Sequence, residues 1–222
     1  MQMLLLDNAM GYADCKNQTY SLCDSFTRAS FRLFAGKVYG IVSPFGLGSW
    51  GLTNCIGGAG TLIDGTILLD GKPVNQEGLR EKSCFISESA SEAELSEHLT
   101  VRQMIGESLK ESGLSYTEQD IKSFFSLSDE RFERPIAQIS GEIRQVSAAV
   151  GFARGKEIFC YPWLISNQID RYLFPQTLSF LREEKKLVLI PTDPERKIAP
   201  YCDGIIKLSN RYEWKCPRSL RL

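Results

Sequence analysis

The chain has 222 residues, 43% of them hydrophobic, enough to bury the core of one large domain or of a core with a subdomain. Its 26 basic and 27 acidic residues leave a formal net charge of −1, which excludes the strong field of a nucleic-acid or anionic-lipid binder. No apolar run approaches the ~18 residues of a membrane span. Residues 1–7 also lack the basic start and long apolar run of a secretory signal, so a soluble cytosolic chain is expected.

In chain order, residues 2–6 and 30–33 read as strands of an N-terminal β region, and 38–42 as a short apolar strand. A helix is predicted over 50–56, closed by Gly57-Gly58. Residues 61–64 and 66–70 form a hairpin-like pair, with turn signals at Asp64-Gly65 and Asp70-Gly71. Another short buried strand follows over 84–87. Thr100 and Gln103 have capping-box spacing before Val101, Met104, Ile105 and Leu109, and a polar helical stretch continues to about Ser128. Residues 142–154 are amphipathic through Ile143, Val146, Ala149, Val150 and Ala153, with Gly155 as the stop. Strands at 158–161 and 187–190 flank a helix opened near Pro175, and 205–208 and 212–214 complete the sheet. Strand, loop and helix in alternation argue for an α/β sheet covered by helices, interrupted by a helical part.

The seven cysteines (Cys15, Cys23, Cys55, Cys84, Cys160, Cys202 and Cys216) are odd in number and include no C-x-x-C. Buried free thiols in a reducing compartment fit that pattern. His98 is the single histidine, so a zinc site has no support. The mixed charge run at 182–186 reads as a solvated helix end.

The stretch 37–51, KVYGIVSPFGLGSWG, has the layout of a phosphate-binding loop without its chemistry. Such a loop needs a Lys at the helix start to reach the β/γ-phosphates, followed by a Ser or Thr hydroxyl for Mg²⁺; Ser49 and Trp50 stand there instead. Gly46, Gly48 and Gly51 also spell G-x-G-x-x-G, with Asp64 or Asp70 at the distance of a ribose-binding acid. Against a dinucleotide site, that pattern arises readily among 18 glycines, and a hairpin follows where a parallel strand is needed.

Over almost its whole length the chain resembles the nucleotide-binding subunits of ATP-binding cassette (ABC) transporters. Residues 36–51 resemble the Walker A region, and 65–74 (GTILLDGKPV) the hairpin after it. Residues 98–103 are similar to the helix start after the Q-loop, and Ile139-Ser140-Gly141-Glu142 resembles the signature motif. The Walker B strand is matched at 158–161, the D-loop at 166–170, the strand before the switch histidine at 187–193, and the start of the next strand at 202–205. The resemblance implies a P-loop NTPase-like ABC ATPase fold of class α/β, with an N-terminal antiparallel β region and an inserted helical subdomain. It also implies one domain over 1–222, with its core at 1–88 and 142–222 and the helical subdomain at about 89–141.

The departures fall on catalytic positions. Besides Ser49 and Trp50, Ser43 replaces the first loop glycine and Glu88 the Q-loop glutamine. The Walker B acids are replaced by Pro162 and Trp163, or by Trp163 and Leu164, depending on alignment, and Asp193 stands where the switch histidine would follow. With these departures, the resemblance implies a degenerate subunit with no catalytic residue of its own, at whose own site neither Mg²⁺ nor hydrolysis of ATP is expected. Hydrolysis is expected in an active cassette partner, and transmembrane permease subunits are expected as separate chains. Peripheral attachment at the cytoplasmic face follows, without membrane insertion or nucleic acid.

ATP at a composite site with the partner would meet Ser140 and Gly141; equally, Ser140 followed by Gly-Glu is a good helix start on its own, and Glu142 would oppose a phosphate. Backbone amides at Gly46 and Gly48 retain anion affinity at this chain's own loop. Tyr12 reads either as an adenine-stacking aromatic or as an ordinary β-edge aromatic. Asp170 matches the D-loop acid but also a helix cap, and Glu88 with Asp193 reads as a replacement acid pair or as two polar loop residues. A non-standard nucleotide hydrolase built on those two acids, and a scaffold with no transporter, are the alternative functions.

Overall fold

The computed structural model describes residues 1–16, 21–87, 89–91, 93–139 and 141–208. The chain opens with a long hairpin, β1 (Met3–Lys16) and β2 (Ser21–Phe34), much longer than the strands expected at 2–6 and 30–33. Its pairing runs from Met3–Phe34 out to Lys16–Ser21, with register shifts on either side of Ala9. Next come β3 (Lys37–Val42), α1 (Ser49–Ile56), β4 (Thr61–Leu69) and β5 (Lys72–Pro73). Strands β2, β1, β4 and β5 make a four-stranded sheet, antiparallel throughout.

Thr61–Leu69 is one continuous strand, which corrects the hairpin expected at 61–70. The Asp64-Gly65 signal marks an irregularity instead, where the β1–β4 register shifts between Asp7 and Met10. Gly65 takes φ +77° there, and a Cβ on it would lie 2.4 Å from the Asn8 carbonyl oxygen, so only glycine lets the strands close at this bulge. Asp70-Gly71 is the true turn into β5, and Asp70 Oδ1 accepts from the Gln2 and Met3 amides at 2.8 Å each.

A second sheet is built from β6 (Ser83–Phe85), β7 (Ile158–Cys160), β8 (Leu187–Thr192), β3 and β9 (Gly204–Lys207), in the order β6-β7-β8-β3-β9 and parallel at every pair. All six residues of β8 are buried, as a strand covered on both faces requires. Helix α2 (Gln76–Lys82), absent from the sequence reading, is started by Asn75, whose side chain accepts from the Gly78 amide. The strand expected at 212–214 lies outside the described residues.

The helical part contains α3 (Val101–Ser112), α4 (Glu118–Phe124) and α5 (Asp129–Phe132), followed by α6 (Ile143–Ala153), α7 (Ser166–Tyr172), α8 (Pro175–Glu183) and α9 (Glu195–Ile198). The Thr100/Gln103 capping box forms as spaced, with the Gln103 amide donating to Thr100 Oγ1 at 3.1 Å and the Thr100 amide to Gln103 Oε1 at 2.9 Å. Aromatic rings fasten this part to the core: Phe124 stacks on Phe180 of α8 at 4.0 Å, and Phe180 meets Phe152 of α6 at 4.8 Å. One buried cluster joins the parallel sheet to these helices, while another fills the space between the antiparallel sheet, α1 and the other sheet face.

Because β3 lies between β8 and β9 in the parallel sheet, the loop at its carboxyl end opens on the same sheet edge as the carboxyl ends of β8 and, one strand further, β7. Open α/β sheets place ligands in that crevice. Residues 43–48, 161–165 and Asp193 therefore converge on one edge of the molecule.

Candidate functional site

A helix leaves its first N–H groups without intrahelical partners, so those at the start of α1 have to be satisfied from elsewhere. Helix α1 supplies no anion itself: Gly48 is its N-cap, with φ 108°, no side-chain cap bond forms, and its first turn holds no acid. The Asp24 carboxylate, reaching in from β2, fills that role. The Gly48 amide donates to Asp24 Oδ1 at 2.6 Å and the Gly51 amide to Asp24 Oδ2 at 2.7 Å, and the Trp50 amide faces the same carboxylate. The Ser49 amide donates to Ser43 Oγ at 3.0 Å, and the Leu52 amide to the Gly48 carbonyl at 2.8 Å. The amides of Gly48, Ser49, Gly51 and Leu52 therefore each have an acceptor within the chain.

Asp24 is fully buried. Burial pushes its carboxyl above the ordinary value, while the Gly51, Gly48 and Trp50 amides draw it back down. Its strand neighbour Ala13 lies beside the same turn, and a Cβ on Gly51 would stand 2.1 Å from the Asp24 carbonyl oxygen. Glycine at 51 is what allows the hairpin backbone to lie against α1. Beyond this contact the hairpin continues through the pairs Asp14–Cys23, Cys15–Leu22 and Lys16–Ser21.

Ser49, expected from the sequence to stand where a phosphate-binding loop carries its lysine, is 1% exposed and its Oγ has no hydrogen-bond partner. Ser43, expected where such a loop has its first glycine, is 2% exposed and donates its own proton to the Pro44 carbonyl at 3.1 Å. Beyond the end of β7, where the sequence resemblance expects the Walker B acids, Trp163 packs on Phe45 of the loop with ring centroids 4.7 Å apart. Leu164 is buried, its amide donating to the Pro191 carbonyl at 2.9 Å and its carbonyl accepting from Thr192 Oγ1 at 2.6 Å. Asp193 is exposed just past β8. Among the described residues no group of three or more His, Cys, Asp or Glu could hold a metal ion.

The other residues singled out from sequence are dispersed. Gly46 and Gly48 both hold positive φ in the loop. Tyr12 precedes Ala13 on β1, and strand alternation sends it to the opposite sheet face from the residue that meets α1. Ser140 and Glu88 lie outside the described residues, while Gly141 is exposed at φ +82°.

The carboxylate of Glu142, expected to oppose a phosphate, is part-buried and paired: Arg131 Nη1 donates to Glu142 Oε1 at 2.8 Å, and Ser128 Oγ donates to Oε2 at 3.1 Å. Asp170 lies within α7 rather than at its cap, within 3.3 Å of Lys197 Nζ. Asp24 itself escaped the sequence reading. Its signal is an acid two residues before the buried Phe26 on the inward face of a strand, visible only once β2 is known to extend to Ser21.

No protein-family model matches the chain. Among solved structures, CbiO1 of Clostridium perfringens, part of the ABC transporter complex CbiONQ, superposes with a TM-score of 0.65 and 16% identity, over 94% of this chain and 85% of that one. An ATP-binding cassette solved as a dimer in a post-hydrolysis state with ADP and Pi gives a TM-score of 0.66 at 17% identity, over 93% and 94%. The fold is that of an ATP-binding cassette.

Relatives by sequence also support the family of ABC transporter ATP-binding subunits for this cassette. The manganese transport system ATP-binding protein MntB of Listeria innocua is 26% identical over 199 residues, 82% of this chain and 79% of its own length. The sn-glycerol-3-phosphate import ATP-binding protein UgpC 1 of Rhizobium johnstonii is 28% identical over 138 residues, 60% of the cassette but only 37% of that relative. Among the described residues, no helix of the cassette is long and apolar enough to cross a membrane.

Proposed function

We propose that the chain is an ABC transporter ATP-binding-type subunit that does not hydrolyse ATP at its own loop. It pairs with an active cassette and docks on separate transmembrane permease subunits at the cytoplasmic face. The observation that carries this reading is a cassette fold with Ser49 and Trp50 at the cation positions and an apolar Phe45–Trp163 contact at the Walker B end. A lysine–phosphate contact is worth about 1.5–3 kcal/mol, and a lost general base costs about 10²–10⁴ in rate, so both losses together leave little turnover.

On the signature side, Gly141 is exposed, and the Arg131–Glu142 ion pair offsets the charge that would oppose ATP held by a partner. With Ser140 it would form this chain's half of a composite site. Phe45, Leu47 and Ile165 are among the few large apolar side chains left exposed, and they lie on the loop edge that pairing would cover. The surface at 87–95 and the helices up to about Ser128 is the docking face for the permease. CbiO1 belongs to a complex with other subunits, and MntB to a transport system, which supports the same arrangement here.

The test is affinity isolation of the full chain from detergent-solubilised membranes of its own cells. Recovery with a cassette bearing an intact loop lysine and with a permease supports the reading; recovery of the chain alone contradicts it. In an isolated complex, Ser140→Ala lowers ATPase activity if the signature side works as described.

A further inference from the structure

The loop differs from an empty phosphate site in one respect: its seat is taken. A phosphate-binding loop works because amides at a helix start converge on an oxygen-bearing anion, aided by the helix dipole. Here Gly48 and Gly51 converge on Asp24 at 2.6 and 2.7 Å, lengths of charge-assisted bonds, and Trp50 faces the same carboxylate. Asp24 is 0% exposed. The carboxylate spans the seat, one oxygen on Gly48 and the other on Gly51, with Ser43 Oγ taking the amide between them.

We propose that the Asp24 carboxylate is a built-in occupant of the oxyanion seat at the start of α1. A phosphate, free or carried by a nucleotide, is excluded from this loop by competition with a tethered anion, and not merely weakened by the missing lysine. The tether is the β1–β2 hairpin, whose backbone lies against α1 at Gly51. A second anion would have to enter beside a buried negative charge, which makes occupancy by both unfavourable. Removing that charge restores a latent site for a tetrahedral or pyrophosphate-type oxyanion.

This inference deepens the reading of a silent loop. The two fail separately, because its test uses the isolated full chain and needs no partner. Inorganic pyrophosphate is titrated into the wild type, Asp24→Ala and Asp24→Asn at constant ionic strength, following the melting temperature and, by calorimetry, the heat of binding. The wild type is expected to shift by less than about 1 °C. Asp24→Ala is expected to gain about 5–10 °C at pyrophosphate ~100-fold above its Kd.

Asp24→Asn keeps the size and loses the charge, and is expected to gain a smaller, saturable shift. It decides the matter if Asp24→Ala does not fold. A wild type that gains as much as the variants overturns the proposal, because the seat would then be open with Asp24 in place. Variants that fold but gain nothing also overturn it, because the amides would then not form an oxyanion seat.

Discussion

Gly51→Ala sets two physical effects of opposite sign against each other. Position 51 is inside α1, where replacing glycine by alanine favours the helix by about 0.8–1 kcal/mol on propensity alone. The new Cβ would stand 2.1 Å from the Asp24 carbonyl oxygen and 2.9 Å from its carbonyl carbon, both backbone atoms of a paired strand. Relief requires the hairpin and the helix to separate by roughly an ångström, since non-bonded contacts normally exceed about 3 Å. That displacement lengthens the two carboxylate bonds at 2.6 and 2.7 Å beyond hydrogen-bond range. Two charge-assisted bonds at about 1.5–3 kcal/mol each give a loss of about 3–6 kcal/mol, and the propensity gain reduces it to about 2–5 kcal/mol. Urea unfolding followed by far-UV circular dichroism reads this as a lower midpoint at unchanged slope. A midpoint equal to or above the wild type would refute the packing of the hairpin on α1, and with it the placement of Asp24.

Three further outcomes are expected. Glu142→Gly removes the contacts to Arg131 and Ser128 and costs about 1–2 kcal/mol after allowance for partial exposure; a double-mutant cycle with Arg131→Met should give a coupling near ~1 kcal/mol, and zero coupling would contradict the ion pair. For Asp203, burial raises the carboxyl, but Arg182 at 2.8 Å, the Val38 amide and Lys37 together hold it below its ordinary 3.8. A depressed carboxylate stabilises the fold above its unfolded value and loses that contribution as pH falls through the folded one, so the stability gap between wild type and Asp203→Asn should be widest near neutrality and close below about pH 4; a gap independent of pH would contradict it. Burial pushes the Cys55 and Cys84 thiols up to about 12 and raises Cys160 as well, so all three should resist iodoacetamide at pH 8 in the native protein and react in urea, as peptide mass spectrometry would show.

The parts of the fold most legible in sequence were those with strong local signals. The capping box at Thr100 and Gln103, the Pro175 helix start and the apolar strands β3, β7 and β8 declare themselves within a few residues. Asp64-Gly65 misled because a turn dipeptide and a bulge make the same demand, a residue at positive φ, and only the pairing of β1 with β4 distinguishes them. The outer half of the β1–β2 hairpin was obscured because Asp7, Asn8, Asp24 and Arg28 break the alternation of a half-buried strand. Asn8 and Arg28 sit at positive φ, where the hairpin is irregular.

That a serine stands at the start of α1 is legible in the sequence itself. The acceptor that its neighbouring amides find is not, because it lies 24 residues before Gly48 and belongs to a different sheet from β3. Burial of an aspartate becomes intelligible only when the helix whose amides it satisfies is in place. The pairing of Glu142 was hidden for the same reason, since Arg131 and Ser128 reach it from the helical part.

The central claim is that this cassette's own loop takes no nucleotide. Equilibrium binding of ATP to the purified chain, with and without Mg²⁺, tests it most directly, with phosphate release measured on the same samples. The account predicts no saturable binding up to millimolar ATP and no turnover in either condition. Saturable ATP binding in either condition, with or without turnover, would contradict it.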